Sequence, residues 1–483
     1  MMQLSLDVIH KAIETHTVNQ MRNYQGTPYA YLSDSEKALL VDAHMNTFYK
    51  PDTAGAALMV IRDGQILMQR GYGLRDLENK RPVTEKTQFY LASMSKQFTA
   101  MAIMILEEKG LLKYDDRIVQ YFPELSHYAS EVTIRHLLNH TSGMPNYFEL
   151  LKEPEEAIQI TNTRVLELLV AQTQMKASPG ELYFYNNSNY VLLAILAERL
   201  SNQKFHEFME THIFGPLGMK DTFVYYDQSK PEFNERAYGY DFIENQFEDC
   251  DYDRLTAGGG GIYATIGDLF LWDQALYTEK LVKRETIEQA FISGELSNHE
   301  AVGYGFGWKM GDFRGQRFVT HTGSSRGFRT RIKRYLDAHF SVIILCNFCQ
   351  AEREIIDKIA QIYLDEKMTC NYGTPLHVAI ENQQMDLIQT LLNCGADVYL
   401  KDGNNKDAIE LAVDIGNPKM VSLLIQHVLE ASSRDKAKAD VDVLAPYRVK
   451  LQGYLFRLAI NDMMDEKKQI ECLMRSHKGH SSQ

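Results

Sequence analysis

A serine and a lysine stand three residues apart at the start of the apolar segment Y-L-A-S-M-S-K-Q-F-T. Residues three apart share one face of a helix, so Ser93 and Lys96 are expected to lie side by side. Burial pushes a lysine toward its neutral form, in which the amine can accept or relay the proton of a hydroxyl. The pair therefore predicts a nucleophilic serine. The alternative is a capping serine followed by a lysine whose ammonium group reaches solvent.

Two later motifs favour the nucleophile. Tyr185 and Asn187 lie two residues apart just before an apolar helical segment, and side chains at that spacing in an extended chain point to the same side. His321, Thr322 and Gly323 follow a predicted strand, where small residues let the backbone approach a substrate. The order S-x-x-K, Y-x-N and then a basic residue with Thr-Gly is the motif order of the penicillin-recognising serine hydrolases.

Residues from about 40 to 365 resemble the class C β-lactamase-related family, which includes β-lactamases, DD-peptidases, carboxylesterases and D-aminopeptidases. The blocks R-H-L-L-N-H-T-S-G, I-F-G-P-L-G-M, A-G-G-G-G-I-Y-A and G-Y-G-F-G-W also follow the order of that family. The resemblance implies a two-lobed α/β (α+β) fold of the β-lactamase/transpeptidase type. It implies an antiparallel sheet, a helical lobe and an active site in the groove between them.

The resemblance also implies a role for each motif residue. Ser93 resembles the nucleophile that forms an acyl-enzyme, and Lys96 resembles the neighbour that shares in its deprotonation. Tyr185 resembles the general base and acid. The positions implied to bind substrate are Asn187, His321, Thr322, Gly323, Ser324 and Arg326, with the backbone N–H groups of Ser93 and Ser324 as the oxyanion hole.

One motif departs from the true class C β-lactamases, which carry a lysine where this chain has His321. A neutral histidine supplies less positive charge to Tyr185 and to a substrate carboxylate, so efficient β-lactam hydrolysis is not expected. Arg326 is a candidate replacement cation at the mouth of the cleft. The alternative is a solvated residue ahead of a strand whose basic residues, at alternate positions of 329–333, point outward.

The order of predicted elements explains how these residues meet. A hairpin is predicted over 56–73 around the turn pair Asp63-Gly64. A buried helix is predicted from Ser93 to Lys109, mainly helical chain to about 300, and strands thereafter. An early hairpin and late strands indicate one antiparallel sheet built from both ends of the segment, with a helical lobe inserted.

The sequence offers little to hold a metal or a cofactor, and neither is predicted. Cys346 and Cys349 form a C-x-x-C pair without a second ligand pair, and His136 and His140 lack an H-E-x-x-H motif. The glycine run 258–261 is not followed by G-K-[ST], so it is interpreted as backbone that passes close beside the groove.

The C-terminal part has the pattern of ankyrin repeats and predicts an all-α segment. The stretch 374–379 matches the T-P-L-H-x-A signature, and a weaker copy in register places Ala412 at the position of Ala379. A degenerate capping repeat is predicted around 458–460. The domain prediction is an N-terminal helix and connector at 1–38, a hydrolase domain at 39–367 and ankyrin repeats at 370–480.

The net charge of −13 over 483 residues argues against a nucleic-acid partner. No secretory signal or membrane span is predicted, so the expected location is the cytoplasm; the ankyrin segment also suggests export into a host cell as an effector. The leading hypothesis is a serine hydrolase that cleaves an amide or ester of a small molecule or peptide, with ankyrin repeats that bind a protein partner. The rivals are a β-lactamase or DD-peptidase, and a catalytically silent scaffold of the same fold.

Overall fold

The computed structural model describes residues 33–364 and 375–434, apart from the gaps 153–158, 245, 252–254, 314, 349–351, 382, 394–395, 397, 400 and 402–405. A few single residues outside these ranges are also described. The chain divides into two compact units, one formed by 38–364 and the other by 365–483 with the residues before 38. The predicted N-terminal helix and connector lies mostly outside the described residues.

The strands that the structure describes all belong to the first unit. They are β1 Ala56–Arg62, β2 Gln65–Tyr72, β3 Leu74–Asp76, β4 Arg81–Pro82, β5 Phe89–Tyr90, β6 Phe223–Val224, β7 Tyr240–Ile243, β8 Gln246–Asp249, β9 Ile262–Ala264, β10 Lys309–Phe313, β11 Gln316–Ser325, β12 Phe328–Tyr335 and β13 Phe340–Cys346.

The helices occur in both units. They are α1 Asp34–Phe48, α2 Lys96–Glu108, α3 Ile134–Leu138, α4 Asn162–Val170, α5 Asn187–Ser201, α6 Phe205–Met209, α7 Gly215–Leu217, α8 Ile266–Ala275, α9 Arg284–Ala290, α10 Glu352–Leu364, α11 Pro375–Glu381, α12 Met385–Asn393, α13 Ala408–Ile415 and α14 Pro418–Arg434. Short 3-10 turns lie at Ala92–Ser95, Ile118–Gln120, Pro123–Leu125 and Tyr147–Leu150, and a π-helical turn lies at Glu210–Phe214.

The main sheet has the order β10-β11-β12-β13-β1-β2, and every neighbouring pair is antiparallel. The early hairpin β1-β2 thus joins the late strands through β13, as the sequence predicts. Asp63 and Gly64 connect β1 to β2 with φ of 50° and 78°. Two left-handed residues form the turn that matches the twist of a hairpin.

Helices cover both faces of this sheet. On one face the guanidinium of Arg334 in β12 donates to Asp273 of α8 over 2.6 Å, and both side chains are buried. On the other face Lys333 donates to Asp357 of α10 over 2.7 Å. The interpretation that the basic residues of 329–333 alternate outward is therefore wrong. Arg331 and Lys333 are 8% and 2% exposed, because a helix, not solvent, lies against this face of the sheet.

The helical lobe is built around α2 and α5. Residues 96–106 of α2 are all buried, which confirms the prediction of an all-round apolar helix. The helix ends as predicted, with Gly110 in the left-handed conformation at φ 71°.

The helices α11–α14 of the second unit form the ankyrin segment. The predicted register holds, since Ala379 and Ala412 are both fully buried and the pairs Leu391-Leu392 and Leu424-Ile425 join the same apolar core. A capping box closes the start of α13, where the Asp407 carboxylate accepts from the backbone N–H of Glu410. The degenerate repeat predicted around 458–460 lies outside the described residues.

Within the part of the chain that the structure describes, no helix is both long enough and apolar enough to cross a lipid bilayer.

Candidate active site

A tight turn carries the predicted nucleophile. The chain leaves β5, passes Ala92 at the left-handed φ of 48°, and forms the 3-10 turn Ala92–Ser95 before α2 begins at Lys96. Ser93 therefore lies on this 3-10 turn, three residues before the α-helix begins. The sequence predicted it inside the helix. A non-glycine residue at positive φ stores strain, and such residues cluster at functional sites.

Lys96 lies next to the serine, as its spacing predicts. The Nζ atom of Lys96 lies 3.2 Å from Oγ of Ser93, 2.8 Å from Oδ1 of Asn187 and 2.7 Å from the carbonyl oxygen of Gly259. The side chain is completely buried. Burial lowers the pKa of Lys96 well below its ordinary value, and the charge of Lys309 lowers it further.

The hydrogen-bond partners define what the amine can do. A neutral amine carries two hydrogens and one lone pair, and the amide oxygen of Asn187 and the carbonyl of Gly259 can only accept. When both hydrogens are donated to these acceptors, the lone pair is left for the third neighbour, the hydroxyl of Ser93. The neutral form of Lys96 therefore has a lone pair that can accept the proton of Ser93.

Tyr185 completes the group. Its ring centroid lies 4.9 Å from Nζ of Lys96, and Asn187 is the first residue of α5, so the Y-x-N motif faces Lys96. Burial raises the pKa of Tyr185, whereas a side-chain hydrogen bond with Ser93 acts in the opposite direction. The phenol is thus protonated at neutral pH in the absence of substrate.

His140 supports this motif from the loop after α3. Its Nδ1 accepts from the backbone N–H of Asn186 over 3.1 Å, and its ring lies 4.4 Å from that of Tyr185. The residue is fully buried and has a left-handed φ of 59°. The sequence showed no metal-binding motif around His140 and did not indicate that it packs on Tyr185. His136 caps α3 through Thr133.

Strand β11 runs beside the serine turn and brings the H-T-G motif to the site. A Cβ at Gly323 would lie 2.0 Å from the carbonyl oxygen of Leu91, so only glycine allows this approach. The same carbonyl accepts from Oγ1 of Thr330 over 2.8 Å, which fixes the sheet to the turn. Thr322 is partly buried and Ser324 is exposed.

His321 lies beneath the groove instead of lining its surface, with 1% of its area exposed. Its Nε2 lies 2.9 Å from the hydroxyl of Tyr304, and its Nδ1 lies 2.8 Å from the carbonyl of Thr322. Burial lowers the pKa of His321 to about 3, so the ring is neutral. Arg326 is exposed in the turn between β11 and β12.

Two features of the site escaped sequence analysis. The carbonyl of Gly259 holds Lys96, so the glycine run 258–261 does pass beside the groove, and it also supplies an acceptor. Lys309, at the start of β10, has its Nζ 5.6 Å from the ring centroid of Tyr185. The motif G-Y-G-F-G-W ends one residue before Lys309, which is the signal that could have located it.

Among the residues that the structure describes, no group of three or more His, Cys, Asp or Glu side chains is placed to hold a metal ion. Cys346 is buried in β13 and lies 3.0 Å from the hydroxyl of Tyr49, whereas Cys349 is outside the described residues.

Comparisons with known proteins identify the family and the fold. Residues 40–362 match the family described as Beta-lactamase, and residues 343–436 match ankyrin repeats in three copies. The chain therefore belongs to the beta-lactamase family and carries ankyrin repeats in addition. Its fold is that of the penicillin-binding proteins and β-lactamases, with a mixed arrangement of helices and antiparallel sheet.

Two curated relatives are a penicillin-binding protein and an aminopeptidase. Penicillin-binding protein 4* of Bacillus subtilis is 35% identical over 60% of this chain and 67% of its own length. The D-aminopeptidase of Cereibacter sphaeroides is 27% identical over 64% of this chain and 58% of its own length. The chain thus spans about three fifths to two thirds of the length of these relatives.

Two solved structures share the fold. The octameric penicillin-binding protein homologue from Pyrococcus abyssi has a TM-score of 0.61 at 24% identity, covering 72% of this chain and 81% of its own. The D-amino acid amidase from Ochrobactrum anthropi SV3, solved in complex with L-phenylalanine amide, has a TM-score of 0.58 at 20% identity. That match covers 68% of this chain and 98% of the amidase.

Proposed function

We propose that this protein hydrolyses an amide or ester through an acyl-enzyme formed on Ser93. The observation that carries the proposal is the contact of 3.2 Å between Oγ of Ser93 and a buried Lys96 whose hydrogens have other acceptors. A hydroxyl beside a neutral amine is an activated nucleophile.

The proposed reaction begins when the Ser93 oxygen attacks the substrate carbonyl and its proton passes to Lys96. The tetrahedral oxyanion is held by the backbone N–H groups of Ser93 and Ser324. As the bond from the carbonyl carbon to the leaving amine or alcohol breaks, Tyr185 donates a proton to the leaving group, and the ammonium of Lys96 then returns the proton to the phenolate of Tyr185. Water then attacks the acyl-enzyme along the reverse route and releases the acid.

The segment just before Tyr185 indicates which kind of substrate to test. Leu182, Tyr183 and Phe184 are 55%, 37% and 43% exposed, and the ring of Tyr183 lies 6.3 Å from that of His140. Exposed apolar side chains beside a polar site favour a substrate with an apolar group. Together with relatives that are D-aminopeptidases, this favours amides of apolar D-amino acids as the first substrates to test.

Penicillin binding is the second candidate, because the relative at 35% identity is a penicillin-binding protein. Acylation of Ser93 by a β-lactam would use the same residues. We expect acylation by a β-lactam to be slow, since His321 is neutral and buried and offers no charge to a β-lactam carboxylate.

The test is covalent labelling of the full chain with a fluorescent fluorophosphonate and with a fluorescent penicillin. The wild type should be labelled at Ser93, as located by peptide mass spectrometry, and Ser93→Ala should not. Ser126→Ala, at an exposed serine outside the site, is the matched control and should be labelled like the wild type. A stoichiometric adduct on Ser93→Ala would remove Ser93 from the mechanism, and an unlabelled wild type would favour the scaffold.

We further propose that the ankyrin helices bind a protein partner, as ankyrin repeats present extended surfaces suited to that purpose. A cytoplasmic location and export into a host cell are also proposals. Fractionation of cells that express the full chain tests the first, and a translocation reporter fused to it tests the second.

A further inference from the structure

The turn between Tyr304 and β10 packs against the start of α2. Gly307 has a left-handed φ of 78°, and a Cβ there would lie 2.8 Å from the carbonyl oxygen of Lys96. The turn is closed by a hydrogen bond of 2.8 Å from the backbone N–H of Gly305 to the carbonyl of Trp308. This packing holds the residues at the two ends of the turn close to Lys96.

The two residues at the ends of the turn, Tyr304 and Lys309, are paired, but one is buried and the other is exposed. Tyr304 and Lys309 form an isolated antiparallel bridge. Tyr304 is fully buried and contacts His321, whereas the side chain of Lys309 is exposed. The Nζ of Lys309 lies 5.6 Å from the ring centroid of Tyr185, and Nζ of Lys96 lies 4.9 Å from the same centroid. The ring of Tyr185 is therefore close to two lysines.

We propose that Lys309 is a positioning residue for the charge state of the site, acting on the amine of Lys96 from the start of β10 across the ring of Tyr185. This inference rests on the proposed acyl-enzyme function. In this proposal Lys309, on the edge strand β10, supplies the positive charge that the buried His321 cannot provide.

The direction of the effect follows from the charges. Both lysine Nζ atoms lie within 6 Å of the same ring centroid, and a nearby cation disfavours a second positive charge, so burial and then Lys309 lower the pKa of Lys96. The same cation favours the anionic form of a phenol, so it also favours proton release from Tyr185. Removal of Lys309 raises the pKa of either candidate base.

The charged and titratable groups around Lys96 come from several elements. They are Ser93 on the 3-10 turn, His140 after α3, Tyr183 and Tyr185 before α5, Tyr190 in α5, Tyr304 before β10, Lys309 in β10, His321 in β11, and Arg331 in β12 beyond Lys309. The two histidines are kept neutral by burial, since it lowers the pKa of both. Among the described residues, Lys309 is thus a neighbouring charge that acts on Lys96.

The experiment measures the second-order rate constant for fluorophosphonate labelling of Ser93 from pH 5 to 10. In Lys309→Met the acidic limb of the profile should move to higher pH by about one unit, the shift expected for a unit charge near the surface. Lys309→Arg should restore the wild-type profile. Lys280→Met, at an exposed lysine in the segment between α8 and α9, is the matched control and should not move it. A Lys309→Met profile that superimposes on the wild type would overturn the proposal.

A second readout does not depend on catalysis. In protein labelled with [ε-13C]lysine, the resonance of Lys96 is assigned by its loss in Lys96→Met, and its titration midpoint should rise in Lys309→Met. If the wild type is never labelled at Ser93 but this midpoint moves, the acyl-enzyme proposal fails while the role of Lys309 stands. If labelling occurs and the midpoint does not move, the role of Lys309 is refuted and the hydrolase remains.

Discussion

The hydroxyl of Tyr304 lies 2.9 Å from Nε2 of His321, and both side chains are buried. Because Nδ1 of His321 faces the carbonyl of Thr322, Nδ1 must carry the proton. Nε2 is then the acceptor, and the hydroxyl of Tyr304 donates to it. The histidine of the H-T-G motif is therefore a neutral part of the support beneath the groove.

His321→Lys should destabilise the protein by on the order of 3 kcal/mol, since an ammonium group at this position would be buried without a counter-ion. Urea unfolding of both forms measures the loss. His321→Gln keeps a donor and an acceptor and should cost clearly less. If His321→Lys is as stable as the wild type and hydrolyses nitrocefin faster, the side chain at this position reaches the groove after all.

Lys96→Met should lower hydrolysis and labelling by a factor of about 10³ or more, because it removes the proposed proton acceptor of Ser93. The double variant with Ser93→Ala should be no worse than the poorer single variant, since the two groups act as a unit. Rates with an activated ester measure both effects. Additive losses would argue against the coupling of Ser93 and Lys96.

Lys96 should also make stability depend on pH. Its pKa is lowered in the folded chain, so between that value and about 10.4 the unfolded chain binds more protons. The free energy of unfolding of the wild type therefore rises with pH through this window, by up to about 1.4 kcal/mol per unit. Lys96→Met lacks this slope, so its stability relative to the wild type should increase as the pH falls. Urea unfolding between pH 6 and 9.5 measures it, and parallel curves would contradict the buried, neutral lysine.

Gly323→Ala should slow labelling of Ser93 and destabilise the fold by about 1–3 kcal/mol, because the new methyl group would overlap the carbonyl of Leu91. Gly267→Ala in α8 is the matched control, with its nearest atom 3.9 Å away. Alanine is the better helix former, so that change should be neutral or stabilising. Equal effects of the two variants would show that the approach of β11 to the serine turn is not tight.

Ending the chain at residue 369 should spare the hydrolysis of small esters, since Ser93, Lys96 and Tyr185 all lie in the unit 38–364. The truncated form should lose the protein partner that the ankyrin helices are proposed to bind. Affinity purification of full-length, Ser93→Ala and truncated forms tests this. The partner should remain with Ser93→Ala, and a partner that also remains after truncation would exclude the ankyrin segment as the binding element.

Sequence predicted the parts of this molecule that depend on local pattern. The hairpin around Asp63-Gly64, the apolar helix α2 and the register of Ala379 with Ala412 each rest on short-range periodicity. The partners in the active site that depend on three-dimensional packing were not predictable in this way. Nothing in the local sequence connects Lys309 with Tyr185, or indicates that α8 and α10 cover Arg334 and Lys333.

The pairing of β1 with β13 has a consequence for folding while the chain is synthesised on the ribosome. Ala56 pairs with Cys346, so the centre of the sheet joins positions 290 residues apart in the sequence. Contacts of such long range slow folding, because a large loop must be closed before they form. The serine turn leaves the ribosome long before β11 and β13, so a nascent chain carries Ser93 without the strand beside it. We therefore expect hydrolytic activity to appear only after translation has passed β13, and prematurely terminated chains to be inert.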